Sequence, residues 1–467
     1  MDRLLTTSEL FREKFREPEW LSRFRRRSLD LFATLPVEVS QLYVRHHEAP
    51  QLDGESILKM LRLEDGREVP QRFKPLQESE NEPVVIHVGS HPAHLHLPKK
   101  LERQGVKMIS IPEAITRYPE LLEQLFSNKL ASSENDKYAA LNNGLFSSGV
   151  FINIPENAEI DEAFRLVWTL DKPEEAVFSQ VIVRAEPSSR ASIIEESYGP
   201  LNDGGRAILS VVTELYLGEG AQVKYASMQN LGEDVVHLAN RVVSTGKDSS
   251  LTWVGALIGG SSSRVKIDSR LDGDGSRVND LEIVFGGDSQ AFDLTSNLIH
   301  TGIGTQGRVL AKGVVKDAAR SIFKGIIGIE SKAKNTSAYL AEHAMVLSSE
   351  ARAYAIPGLE ISSNEVKATH SASVAQIGEE QVYYLTARGI PESEARKMIA
   401  MSFFEPVVSE IDVSEVRWGI RYLLEKKWLP REEAESLTPE QLVELYVEPE
   451  EAGKPIEDIF GRHYKYR

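Results

Sequence analysis

The stretch GRVLAKGVVKDAARSIFKGIIGIESKAKNTSAYLA, Gly307–Ala341, decides the fold. Short runs in which apolar residues alternate with polar or small ones are separated by clusters that favour turns, KDAA and SKAKN. Alternation with a period of two buries one face of an extended chain, the mark of a strand. The same texture runs from about Phe151 to about Ser373, in FSQVIVRAE, QVKYASMQ and RAYAIPGLEI, with Gly, Ser, Asp and Asn between the runs. Several runs open alike, on a small or polar turn followed by an apolar alternation: GAQVKY, SSLTWV, SRVNDL, GRVLAK, ARSIFK and TSAYLA. With Val309, Ile322, Ala338 and Tyr354 as markers, the gaps are 13, 16 and 16 residues. Such recurrence fits stacked rungs closed by tight turns better than a sandwich with long crossings, so the core is expected to be a β-helix or β-solenoid.

Helical sequence flanks this core on both sides. Thr6-x-x-Glu9 has the capping-box pattern, with Leu10, Phe11 and Phe15 following at helical spacing. Glu17-Pro18-Glu19 opens a second helix that carries Trp20, Leu21, Phe24, Leu29 and Phe32 and stops at Leu35-Pro36. A short strand at Val84–Val88 and a helical stretch at Ile111–Leu130 come next. After Gly378 helix returns, and Ile390, Ala395, Met398, Ile399 and Phe403 form an apolar stripe. The expected architecture is mainly β with flanking helices: a mostly helical region over 1–150, the β core over 151–375, and a helical region over 376–467 whose tail from Val413 is charged and partly helical.

Composition narrows the function. The 467 residues are 27% charged and 41% hydrophobic, and Lys+Arg 54 against Asp+Glu 70 leaves a formal charge of −16. Nucleic-acid binding depends on neutralising phosphates, which this balance opposes. The local exception, Arg23-Phe24-Arg25-Arg26-Arg27, reads as the solvated face of a helix. No run approaches the roughly 18–20 apolar residues of a membrane span. The beginning MDRLLTTSELFREKF lacks the apolar segment of a secretory signal, so a cytoplasmic protein is expected. The absence of cysteine removes disulfides, thiolate nucleophiles and thiolate metal ligands together.

Several motifs fail on their context. His300-Thr-Gly302-Ile-Gly304-Thr-Gln-Gly307 contains GxGxxG, but the strand-like RVLAKGVV follows where a dinucleotide site needs a helix. Asp272-Gly-Asp274-Gly275-Ser276 lacks the later Gly and Glu of a calcium loop and reads as a turn between rungs. No GxxxxGK[ST] is present, so ATP hydrolysis through a P-loop is not expected. His87, His91, His94 and His96 could hold zinc or copper, or could simply form a polar hairpin beside Gly89 and Pro92.

The second half of the chain resembles the SufB/SufD family of iron–sulfur cluster assembly proteins. The residues that carry the resemblance are Arg320–Glu330, the Thr336-Ser-Ala-Tyr339 turn, Pro357-Gly-Leu-Glu-Ile361, Val366-Lys367, His370, and Glu380-Gln381-x-x-Tyr384-Leu385-x-x-Arg388-Gly389-Ile390. Pro18-Glu-Trp20-Leu21 with Arg27 and Leu35-Pro36 is similar to the family's N-terminal helix. Asp136-Lys-Tyr-Ala-Ala-Leu-Asn142 with Phe151-Ile-x-Ile-Pro155 is similar to the entry into its β core. The resemblance implies a right-handed parallel β-helix with flanking helical domains. It also implies subunits that pair through their β-helix ends, and C-terminal helices that dock the ABC-type ATPase SufC.

Against the family pattern the chain lacks its thiols. SufB-like members place a cysteine after a Ser-Asp pair where this chain has Ser349-Glu350-Ala351, and SufD-like members read Lys-Cys-Ser-His where it has Lys367-Ala368-Thr369-His370. The glutamates that flank the later histidine in SufB-like members are here Thr369 and Ser371, and the usual glutamine after Ala338-Tyr339 is Leu340. Iron–sulfur scaffolds rely on soft thiolates, with imidazole or carboxylate filling other positions. The chain alone is therefore expected to hold no stable cofactor, with iron or an iron–sulfur cluster passing transiently through the complex. His370 is the candidate metal ligand, or else a residue that hydrogen-bonds a turn of the β-helix, and Glu350 and His343 are auxiliary candidates. Met398, Phe403 and Phe404 are the candidates to border SufC.

The leading expectation is thus a non-catalytic assembly subunit, SufD-like, partner of a cysteine-bearing SufB and of SufC. The alternatives are a structural or regulatory homodimeric paralogue without cluster chemistry, and a carbohydrate-active solenoid enzyme, for which no aromatic platform accompanies the acidic residues.

Overall fold

The computed structural model describes residues 11–62, 66–199 and 205–438, together with Gln441. The Thr6-x-x-Glu9 cap and the chain beyond 441 lie outside these residues. From 148 to 376 the chain winds as a parallel β-solenoid of about eight turns. Each turn contributes one strand to each of two facing sheets, one of ten strands and one of nine among the described residues. Among the described residues only the hairpin strand His91–His96 and the strand Lys107–Ser110 pair antiparallel, each at one end of a sheet.

The register shows why the recurrence in the sequence is irregular. Gln222, Ser250, Arg277 and Gln306 align one above another, and Gln306 aligns with Ser337, so a full turn takes roughly 30 residues. The 13- and 16-residue gaps between Val309, Ile322, Ala338 and Tyr354 are half-turns, from one sheet to the facing one. At one edge every turn uses a left-handed residue: Ser188, Gly220, Asp248, Gly275, Gly304 and Asn335 have φ between 54° and 70°. Each donates its backbone N–H to a carbonyl of the next rung, as from Asp248 to Asp274 and from Gly304 to Lys334. Gly, Asn and Asp bear that conformation at least cost. The GxGxxG and Asp272–Ser276 segments are two of these turns.

Three apolar cores follow from the two sheets. The lumen holds one, with Trp168, Trp253, Leu298, Phe323 and Leu340 among its buried members. A second forms where the helix Lys137–Leu145 lies against the outer face of the nine-stranded sheet, with the helix Glu19–Thr34 packed on top. A third forms where the helices Glu392–Val408 and Ser414–Trp428 cover the outer face of the ten-stranded sheet through Phe404, Val407, Trp418 and Ile420.

Several expectations need correction. The boundary at 150/151 falls inside the strand Ser148–Ile154, and Val84–Val88 pairs with Phe164–Thr169, so the N-terminal region is mixed and continuous with the sheets. The helical stretch after Ile111 is two helices, Ile111–Arg117 and Pro119–Ser127, divided at Tyr118 before the proline. Arg25 is not on a solvated face: it is buried, paired with Glu17 at 2.6 Å, and lies 4.0 Å over the Phe146 ring. Residues 414–428, expected in a charged tail, form a core helix. The helix Glu392–Val408 buries Ala395, Ala400, Phe404, Val407 and Val408, so of the expected stripe Ala395 is buried whereas Met398 is exposed. No helix among the described residues is long and apolar enough to cross a membrane.

Candidate functional site

Among the described residues the solenoid stops without a cap. The strands Arg352–Ile361 and Val366–Gln376 are the last of their sheets, each paired on one side only. Helix follows at Glu379, so no further rung covers them, and Tyr354, Leu359, Ile361 and Val374 remain exposed. An open strand edge beside apolar side chains is a surface built to be covered.

His370 sits in the middle of this end. In-register pairing runs Phe164, Ile193, Tyr225, Trp253, Asp280, Val309, Leu340, His370, one residue per turn, along the lumen side of the ten-stranded sheet. The seven residues beneath it are buried. His370 is exposed, and among the described residues its ring makes no hydrogen bond or ion pair. The alternative role, bonding a turn of the β-helix, has no counterpart in this geometry.

The auxiliary candidates are not brought to it. His343 faces outward, its Nδ1 2.6 Å from Ser373 Oγ, with its pKa lowered by burial and by the nearby Lys312 ammonium. Glu350 lies in the exposed turn beyond Val346, which pairs with Gln376. Gln376 lies six positions along the strand from His370, roughly 20 Å at the usual rise. Among the described residues no group of three or more His, Asp or Glu side chains is arranged to hold a metal ion. Ala351 is buried beside Val315 and Ala319, and Ala368 is half-buried at the lumen mouth.

The four N-terminal histidines divide. His87 is buried and stacked on Trp168, with ring centroids 5.2 Å apart and planes within 3°. Burial, aided by His91, depresses its pKa to about 3. His94 and His96 stack with each other at 6.3 Å on the hairpin strand, and His96 Nε2 lies 3.1 Å from the Glu80 carbonyl.

The three candidates for partner contact also divide. Met398 is exposed, Phe403 is half-buried with the Lys312 ammonium 4.1 Å from its ring centroid, and Phe404 is fully buried with its ring 5.8 Å from that of Phe285. Phe404 is therefore a core residue and offers nothing to a partner.

Charged residues inside the solenoid escaped the sequence reading. Arg241 lies within 3.9 Å of Glu195 and 3.8 Å of Glu282, and donates to Ser227 Oγ at 2.6 Å. Tyr225 donates to Glu195, and Ser296 to Asp280 at 2.5 Å. Burial raises Asp280 to about 6 and Glu282 well above the usual carboxylate range. Near the open end Glu342 is buried as well, and burial raises it to about 8. The signal was parity: Glu342 shares the inward phase of Ala338, Leu340 and Ala344.

Comparison with known proteins agrees with this architecture. The family model described as "SUF system FeS cluster assembly, SufBD core domain" matches residues 168–403, and "SufBD protein N-terminal region" matches 84–166. The chain is 30% identical over 426 residues to the iron–sulfur cluster assembly protein SufD of Bacillus subtilis, covering 89% of this chain and 96% of that protein. It is 26% identical over 412 residues to an iron–sulfur cluster assembly SufBD family protein of Staphylococcus haemolyticus, covering 85% and 86%. A similar protein of Staphylococcus aureus also matches at 26% over 412 residues. With an uncapped parallel solenoid, helices on both outer faces and family matches along most of its length, this chain belongs to the SufBD family of SUF-system iron–sulfur cluster assembly proteins.

Proposed function

We propose that this chain is a SufD-like, non-catalytic subunit of a cytoplasmic cluster-assembly complex. It pairs through its open solenoid end with a cysteine-bearing SufB-type subunit, or with a second copy of itself, and its C-terminal helices dock a SufC-type ATPase. It holds no stable cluster alone. At the paired end it contributes His370 to a site where iron or a nascent cluster resides transiently.

The observation that carries this reading is the exposed imidazole at the head of an otherwise buried column, on strands whose edges are unpaired. A neutral imidazole is a good ligand for iron, and a partner supplies the soft thiolates that this chain lacks. For the ATPase, Met398 is the exposed apolar residue of the helix that otherwise packs on the solenoid.

The test is anaerobic co-purification of the chain with candidate SufB- and SufC-type proteins, followed by iron and sulfide analysis. A complex that assembles a cluster, and loses it with His370→Gln, supports the assignment. A chain that forms only homodimers and leaves cluster yield unchanged favours the structural paralogue.

A further inference from the structure

Beneath His370 the lumen holds a second group with ligand chemistry. The register sets Leu340 beside His370 and Glu342 beside Ala372, so the imidazole and the carboxyl group are diagonal neighbours on one inward face. Diagonal neighbours on adjacent strands stand about 7–8 Å apart, within reach of long side chains. Glu342 is 2% exposed, and its Oε2 has no hydrogen-bond partner. Its Oε1 lies against Gly325, where an added Cβ would be 3.1 Å away, so the glycine makes room for the carboxyl group. Leaving a buried oxygen unsatisfied is costly unless a ligand takes it up. The inward positions around it in the last rung are the small or compact Ala372, Ala355 and Pro357.

We infer that Glu342 and His370 form a two-ligand nitrogen–oxygen site for ferrous ion at the mouth of the lumen, with its other positions open to water and to a facing subunit. The inference rests on the reading of His370 as a ligand and adds the residue below it. Imidazole and carboxylate together suit a divalent first-row ion. Two protein ligands bind it without the closed shell of a permanent site, which fits an ion in transit. His343 lies on the opposite face of the sheet and Glu350 at the far end of the strand, so neither completes the set.

The experiment is anaerobic titration of the full chain with ferrous ion alone, in competition with a chromogenic chelator. The proteins are wild type, Glu342→Gln, His370→Gln and the double variant. Glutamine matches the shape of a protonated glutamate, so the fold is kept, as circular dichroism will verify. Each single variant should weaken binding about tenfold or more, with the double variant little weaker than either. Cobalt(II) in place of iron should show a visible absorption that changes in both single variants. Loss with His370→Gln but unchanged affinity and spectrum with Glu342→Gln would overturn the role of Glu342 and leave that of His370 standing. Binding unchanged by His370→Gln, or no binding by wild type at millimolar iron, would overturn both.

Discussion

His370 stands in register with Leu340 one turn below it, yet Leu340 is completely buried and His370 is exposed. The difference is the absence of a next rung. A side chain with no hydrogen-bond or ion-pair partner among the described residues contributes little to folding, so His370→Ala and His370→Gln should each change stability by less than about 0.5 kcal/mol. Thermal unfolding of the single chain checks this, while cluster yield of the reconstituted complex should fall in both variants. A clear loss of stability in the alanine variant would return His370 to a structural role.

Met398 and Phe404 lie on one helix but on different faces, and the same substitution should separate them. Met398→Asp should leave the fold intact and abolish binding of the SufC-type ATPase in calorimetry. Phe404→Asp places a charge against Phe285 inside the core and should prevent soluble folding, at a cost above about 4 kcal/mol.

Lys324 is buried on the outer face of the nine-stranded sheet, 2.8 Å from Asp293 and 3.1 Å from Glu38. The pair with Glu38 helps tie the N-terminal segment to the sheet. Lys324→Met takes the paired ammonium away from two buried carboxylates, leaving only the more distant Arg264 charge, and should destabilise the protein by about 3–5 kcal/mol in urea unfolding. Adding Asp293→Asn should recover part of that loss.

Glu342 sets a pH dependence whose sign follows from its environment. Burial raises its pKa from 4.5 to about 8, although the Ile356 backbone and Lys324 oppose the rise. The folded chain therefore keeps a proton that the unfolded chain releases. Stability fully present below the ordinary glutamate range is lost as pH climbs toward about 8, by up to about 1.4 kcal/mol per pH unit. Asp280, raised to about 6, adds to the loss at the lower end of that window. Glu342→Gln should match wild type near pH 5 and exceed it at pH 8 in urea midpoints. Parallel curves across that range would show that the group titrates normally.

Gly149 has φ of 138°, and an added Cβ would meet the Gln180 carbonyl oxygen at 2.0 Å. The Gln180 atoms it would meet belong to backbone that the sheet holds in place. Gly149→Ala should cost about 3 kcal/mol or more, measured as a drop in melting temperature. A nearly neutral effect would mean that the strand ladder at Ser148–Ser179 can open.

The sequence by itself determined the local grammar of this protein. Period-two alternation marked the strands, Gly, Asp and Asn marked the turns, and Pro18 and Leu35-Pro36 bounded the first long helix, because these are properties of the chain over a few residues. The lack of thiols was equally plain. Tertiary structure alone decided which residues meet. Half-turns looked like full repeats until the register showed two facing sheets. Arg25 and residues 414–428 carry charge that a linear reading sends to solvent, whereas pairing and apolar neighbours make both part of a core. His343 and Glu350 were candidates by residue type, but a sheet places odd and even positions on opposite faces and spreads strand ends some 20 Å from strand centres. Glu342, one position before His343 and 28 from His370 in the chain, has the inward parity, and it shares the lumen with His370 because one turn of the solenoid takes about that many residues.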